Sequence, residues 1–405
     1  PASVCVRVHE NIDKNFYYKA VKYLLTDRTG SPNFIGDKAM TEGFMKNGYS
    51  RKLAVSRVKC GCHWCAIPGK EYTLNDIVKI NFVAVFDTAF KEMMNSGQEP
   101  SVELLWDTFI KHINKAVAVT AEGMDFQIEH MHEVFPELLM DLLCEGPIEK
   151  GLDASNGGLE YINLCVDGAG LAVVADSFAA LEKRIEKNKQ ITWDQIDKAL
   201  KNDYKGYEDI QLMMKNSDHY GNGGTIADTY AENIVKEFVA AVKKEPTPKG
   251  YNMIPGLFSW ANTIPMGKAV GATPNGRLAY TPISHGANPL PGFKDSGALT
   301  ACANAVASVQ CGYGNTVPIQ LEINPVTLKG EEGIRTMMTF ISVYLNKMGG
   351  TLMNINIMDK EKILDAHKDP SKYPDLIVRV TGFCAYFALL SEDFRKLVVD
   401  RMINE

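Results

Sequence analysis

The sequence predicts an α/β protein in which strands and helices alternate, forming a barrel or a parallel sheet. Three observations carry this. Short β-branched runs recur, as in PASVCVRVH at the start, TVPIQLEINP (316–325), TLMNINIMD (351–359) and LIVRVTGF (376–383). Between them lie stretches whose apolar residues repeat at helical spacing, such as LAVVADSFAALEKRIEKNK (171–189) and GIRTMMTFISVYLNKMG (333–349). No repeat of about 20–50 residues and no low-complexity tract is present, so a solenoid or a propeller is excluded.

Taken in order, the first strand is followed by a helix over FYYKAVKYLLTD, a polar break, RTGSPNFIGDKA, and a second helix to about residue 57. The segment around Cys62 is short and closed by Pro68-Gly69. It opens what reads as one apolar helix, IVKINFVAVFDTAFKEMM (77–94). Residues 101–145 read as helical throughout, Asn156-Gly157-Gly158 breaks the chain, and further helices are predicted over 171–189 and 226–244. The stretch 245–330 is rich in glycine and proline and less helical. The end reads as helix, strand, short helix, strand and a final amphipathic helix.

Composition bounds the function. The 405 residues suit two or three ordinary domains or one large barrel, and 45% hydrophobic with 23% charged residues is ordinary for a globular enzyme. A net charge of −6 argues against nucleic-acid binding. No run of about 18 apolar residues is present to span a membrane. The first residues lack the apolar stretch of a secretory signal. Nine scattered cysteines do not form a disulfide framework, so a reducing, cytoplasmic setting is expected. The string GNGGT (221–225) lacks the lysine and the strand-turn-helix context of a phosphate loop.

Chemistry is expected at two places. In RVTGFCAYF (379–387), read bare, Gly382 is a turn glycine after a strand ending at Val380. In KCGCHWC (59–65), Cys60, Cys62, Cys65 and His63 offer a zinc reading, but structural zinc sites usually draw on two separated pairs, and there is no second Cys-x-x-Cys. Buried, inert thiols are the plain reading for Cys144, Cys165, Cys302 and Cys311.

RVTGFCAYF resembles the glycyl radical signature, an Arg-Val-x-Gly-aromatic string near the C-terminus. A Cα radical between two amides is delocalised over both, and glycine alone lets the centre flatten without crowding from a Cβ. In the family the catalytic cysteine lies in a Gly-Cys string at a loop tip, and Gly61-Cys62 matches that placement. Further strings in family order are NGGLEYINLCVDGAGLAVVADSFAAL, KNSDHYGNGGTIAD, GATPNGRLAYTPISHGANPLPG and INPVTLKGEEG, so the resemblance covers essentially the whole chain. It implies the C-terminal half of a ten-stranded β/α barrel. Residues 1–330 would form the barrel portion, with the cysteine loop near 58–69, and residues 331–405 the glycyl radical domain.

The resemblance also implies a mechanism. A separate radical S-adenosylmethionine, iron–sulfur activase takes hydrogen from Gly382, Gly382 takes hydrogen from Cys62, and the Cys62 thiyl attacks a small organic substrate. Cys60 and Cys65 are alternatives for the thiyl, and Cys384 reads as structural. No permanently bound cofactor is implied. The chain lacks the Cys-x3-Cys-x2-Cys string of an activase, so activation must come in trans, and oxygen would cleave the chain at Gly382. Family members are normally longer, so an N-terminal barrel half, on a partner chain or in missing sequence, is expected, as is a higher oligomer.

Dehydratase and decarboxylase members usually carry Gly-Cys-x-Glu, with the glutamate as acid or base. Here that position is Trp64, and no carboxylate follows until Glu71. The adjacent cysteines of the acyl-transferring pyruvate formate-lyase branch are absent as well. Elimination leads to the fumarate-adding branch, whose hydrocarbon pocket suits Trp64. A dehydratase or lyase, in which His63 replaces the glutamate as proton donor, is the alternative. A non-catalytic radical spare part would lack the cysteine loop. Glu122, His130, His132, Asn163 and His285 are further candidates for lining the pocket.

Overall fold

A computed structural model describes residues 4–62, 64–258, 262–292, 298–380 and 382–403. Strands β1 (Cys5–Val8), β2 (Asn33–Gly36), β3 (Val58–Cys60), β4 (Trp64–Ala66), β5 (Glu71–Asn81), β6 (Tyr161–Ala169), β7 (Asn252–Gly256), β8 (Pro318–Ile323), β9 (Leu352–Ile357), β10 (Ile377–Arg379) and β11 (Cys384–Tyr386) form two sheets and two hairpins. One sheet has the order β5-β6-β7, parallel throughout. The other has the order β1-β2-β9-β8, in which β1 and β2 are parallel, β9 and β8 are parallel, and β2 meets β9 antiparallel.

Parallel neighbours need long crossovers, and helices supply them. Helices Phe82–Asn95 and Val102–Val134 connect β5 to β6, Leu171–Leu181 and Ile226–Lys243 lie between β6 and β7, and Gly330–Ser342 links β8 to β9. Every residue of β8, β9 and the helix Leu171–Leu181 is buried, as continuous apolar runs demand when elements are covered on all sides. Phe86, Phe109 and Phe178 pack edge to face beneath that helix, with centroids 5.1–6.4 Å apart. A second, smaller core gathers Met358, Ile363, Val378, Val380, Phe387 and Val398 around β10 and the last helix, Glu392–Ile403.

The structure corrects the element assignments in several places. Ile77–Asn81 is the end of a strand, not the start of a helix. The helix begins at Phe82, where Asn81 Oδ1 accepts from the amides of Val83 (3.1 Å) and Ala84 (3.2 Å). Two adjoining apolar elements had merged into one periodic stretch. Strand β2 sits inside the apparent polar break, paired on both edges, and β6 and β7 lie in segments read as a break and as irregular. The predicted helix over 101–145 is two helices, Val102–Val134 and Leu138–Leu143, parted at Phe135–Glu137.

One ion pair between a buried aspartate and a half-buried histidine has a testable pH dependence. His219 Nδ1 lies 2.8 Å from Asp176 Oδ2 and Nε2 lies 2.8 Å from the Lys215 carbonyl, so both nitrogens face acceptors and the protonated ring satisfies both. The Asp176 carboxylate raises the His219 pKa. Stabilisation from this pair is complete below the unfolded histidine value and is lost as pH rises through the raised folded value. The urea midpoint is therefore expected to fall as pH rises from the ordinary histidine value, about 6.5, through the raised folded value, and a His219→Gln variant to lose that slope. A wild-type midpoint independent of pH across this range would contradict the assignment.

Candidate functional site: two hairpin tips in contact

The cysteine segment is a β-hairpin. Strands β3 and β4 pair Val58 with Ala66, Lys59 with Cys65 and Cys60 with Trp64, leaving Gly61 and Cys62 at the tip. His63 lies outside the described residues, as does the side chain of Cys60. Gly61 has a φ of +52°, and a Cβ there would overlap Cζ2 and Cη2 of the Trp64 indole and lie 2.7 Å from its Cε2. Only glycine lets the chain turn with the ring folded across it. Cys65 points instead into an apolar cluster with Met40, Phe44 and Ile67.

The glycine segment is a second hairpin. Strands β10 and β11 pair Arg379 with Cys384, and Val380 N–H donates to the Phe383 carbonyl at 2.9 Å, so Gly382 occupies the tip. The two tips touch. A Cβ built on Gly382 would lie 2.5 Å from the Cys62 carbonyl carbon and inside contact distance of its carbonyl oxygen and Cα. Residues 320 positions apart in sequence are thus apposed backbone to backbone (382 minus 62).

Buried groups brace the glycine hairpin. Asn356 clamps the Arg379 backbone, accepting from its N–H and donating to its carbonyl, both at 2.6 Å. The fully buried Arg379 guanidinium donates to Asn354 Oδ1 (3.0 Å), Gly30 O (2.9 Å) and Gly382 O (3.1 Å). From the last helix, Arg401 donates to Val380 O at 3.2 Å and pairs with buried Glu322 of β8 at 3.1 Å. Removing one partner of such a pair leaves a buried charge uncompensated. Arg401→Met is expected to cost about 3–5 kcal/mol, read as a urea midpoint, whereas adding Glu322→Gln should restore part of it. Equal stability of the single and double variants would contradict this coupling.

The candidate pocket residues divide. Asn163, on β6, is buried and lines a small internal cavity with Trp64, Cys65 and Glu71. Its amide donates to Glu71 Oε1 at 2.8 Å and to the Tyr49 hydroxyl, while Glu71 Oε2 accepts from Ile67 N–H at 2.8 Å. Burial raises the Glu71 pKa. Sequence distance had set this carboxylate aside, but β5 turns back after Pro68-Gly69 and carries it beneath Trp64. The signal available was the alternation of Glu71, Tyr72 and Thr73.

Glu122 and His130 do not join the site. The helix Val102–Val134 buries Leu105, Phe109, Ile113, Val117, Ala121, Met124 and Ile128, and residues off that stripe face outward. Glu122 is exposed, and His130 lies on the surface near Glu129 and Glu133. His132 meets Asn156 at 3.3 Å on the same outer helix. His285 lines a different pocket, between Thr281–Leu290 and the last helix, where burial and the nearby Arg401 push its pKa down to about 3.

Residues 2–267 match the family model described as pyruvate formate lyase-like, and residues 283–388 match the glycine radical model. The chain belongs to the glycyl radical enzyme family. Within this family it is 25% identical to the isethionate sulfite-lyase of Oleidesulfovibrio alaskensis, over 98% of this chain and 50% of that protein. It is 27% identical to the trans-4-hydroxy-L-proline dehydratase of Clostridioides difficile, over 92% and 48%. The glycerol-bound B12-independent glycerol dehydratase of Clostridium butyricum superposes with a TM-score of 0.92 at 26% identity, covering 99% of this chain and 52% of that one. The chain thus spans about half the length of the relatives it matches. These relatives are named as a lyase and as dehydratases. No described helix is long and apolar enough to cross a membrane.

Proposed function

We propose that the chain is the radical-bearing part of a glycyl radical lyase or dehydratase, in which Gly382 stores the radical and Cys62 is the thiol that attacks substrate. The observation that carries this reading is the contact of the two hairpin tips. A hydrogen atom moves only between centres held within reach, and here the backbones leave no room for a Cβ on Gly382. A separate activase would install the radical. The reaction is an elimination: the Cys62 thiyl removes a hydrogen atom from a carbon that bears a hydroxyl or amine, water or sulfite leaves the neighbouring carbon as that group loses a proton, and the product radical takes the hydrogen atom back from the Cys62 S–H, restoring the thiyl. Glu71, held by Asn163 and of raised pKa, lines the same cavity as Trp64 and supplies a proton to the leaving group.

In the same reading the two sheets are part of a ten-stranded barrel. Strands β1, β8, β5 and β7 each have one hydrogen-bonded strand neighbour among the described residues, and a complementary half would pair with edges of this kind. The test is turnover by the chain combined with that half, after anaerobic activation. Isethionate, trans-4-hydroxy-L-proline, glycerol and propane-1,2-diol are offered singly, and toluene with fumarate in parallel. Release of sulfite or water-eliminated product supports the reading, and a succinate adduct as the sole product would replace it with the addition reaction.

A further inference from the structure

Arg379 is a buried cation whose hydrogen-bond acceptors are all neutral. Among the described residues they are the side-chain oxygens of Asn354 and, at 3.0 Å, Asn33, the carbonyls of Gly30 and Gly382, and, at 3.7 Å, the Cys384 sulfur. Desolvating a guanidinium without a carboxylate is costly, and a neutral donor would brace the hairpin as well. Burial lowers its pKa, yet arginine stays protonated under ordinary conditions. A charge kept at such cost calls for a place where negative charge develops.

That place is the Gly382 carbonyl oxygen, 3.1 Å from Arg379 Nη2. A radical at the Gly382 Cα is stabilised by donation from the amide nitrogen and acceptance by the carbonyl, which moves electron density onto that oxygen. A fixed positive donor aimed at the oxygen strengthens the acceptor without reorganising when the radical forms. We infer that Arg379 stabilises the stored radical electrostatically through the Gly382 carbonyl. It thereby biases the exchange between Gly382 and Cys62 (Cα• + S–H ⇌ Cα–H + S•) toward the glycine. This rests on the functional reading above, since it concerns the same radical.

The test is pulsed electron paramagnetic resonance (EPR) on activated wild-type chain labelled with [15N]arginine, using the activases of the relatives named above. The expected result is a weak 15N coupling and an exchangeable-proton coupling to the radical. The 15N coupling should vanish in Arg379→Lys. Arg379→Gln should lower the radical yield about tenfold or more, with Arg379→Lys intermediate because charge is kept and the fork is lost. An activated wild-type chain with no 15N coupling, or a folded Arg379→Gln with wild-type yield and splitting, would overturn the inference while leaving the functional reading intact. No radical in the wild-type chain with any activase would remove both. If Arg379→Gln does not fold, the labelled wild-type measurement decides.

Discussion

An activated Gly382→Ala variant is expected to give no EPR doublet and no turnover. Two causes act together. The added Cβ would meet the Cys62 backbone, including its carbonyl carbon at 2.5 Å, and backbone atoms cannot swing aside as the end of a flexible side chain can. The hairpins must then part, and a side chain on the radical centre also resists flattening. Because either cause abolishes the signal, a second measurement is needed. In wild-type chain grown with α-deuterated glycine, the doublet should collapse to a narrow line, since its splitting comes from the single α-hydrogen. A doublet surviving in Gly382→Ala would place the radical elsewhere.

Cys62→Ser is expected to show the reverse pattern, with the doublet retained and turnover gone. Serine keeps the size and the hairpin tip, but its O–H bond is too strong for a glycyl radical to break. A loss of at least about 10⁴-fold requires only ~5.5 kcal/mol of added barrier, so activity should be undetectable. Retained turnover would transfer the thiyl to Cys60 or Cys65. The second of these is disfavoured by its place in the apolar cluster with Met40 and Ile67. Measuring doublet and turnover on the same samples separates failure of activation from failure of transfer.

The two glycine turns were legible in the sequence because each glycine permits a turn beside a reactive residue, but the pairing that makes each a hairpin was not. The elements lost to sequence reading, β2, β6 and β7, are short or follow glycine-rich breaks, and they become strands only through pairing partners more than 25 residues away in sequence, as Asn33 of β2 pairs Cys5 and Asn252 of β7 pairs Asn163. Periodicity within one segment carries no information about such partners. The pocket showed the same limit. Glu71 was passed over because it lies nine positions after Cys62, and Glu122, His130 and His132 were considered for residue type alone. Which face of the helix Val102–Val134 is buried depends on what packs against it, and that is a tertiary fact. Arg379 was seen as a motif letter, and only the fold reveals that its fork ends on the Gly382 carbonyl.

The small core around β10 and the last helix carries a consequence for cooperativity. Met358, Ile363, Val378, Val380, Phe387 and Val398 pack chiefly with one another, apart from the large core that holds β6 and the helix Leu171–Leu181. Such a unit opens at a lower free energy than global unfolding. Amides of β10, β11 and the helix Glu392–Ile403 are expected to exchange with deuterium together and ahead of those in β6. Such an opening would uncover the Gly382 tip while the rest of the molecule stays folded.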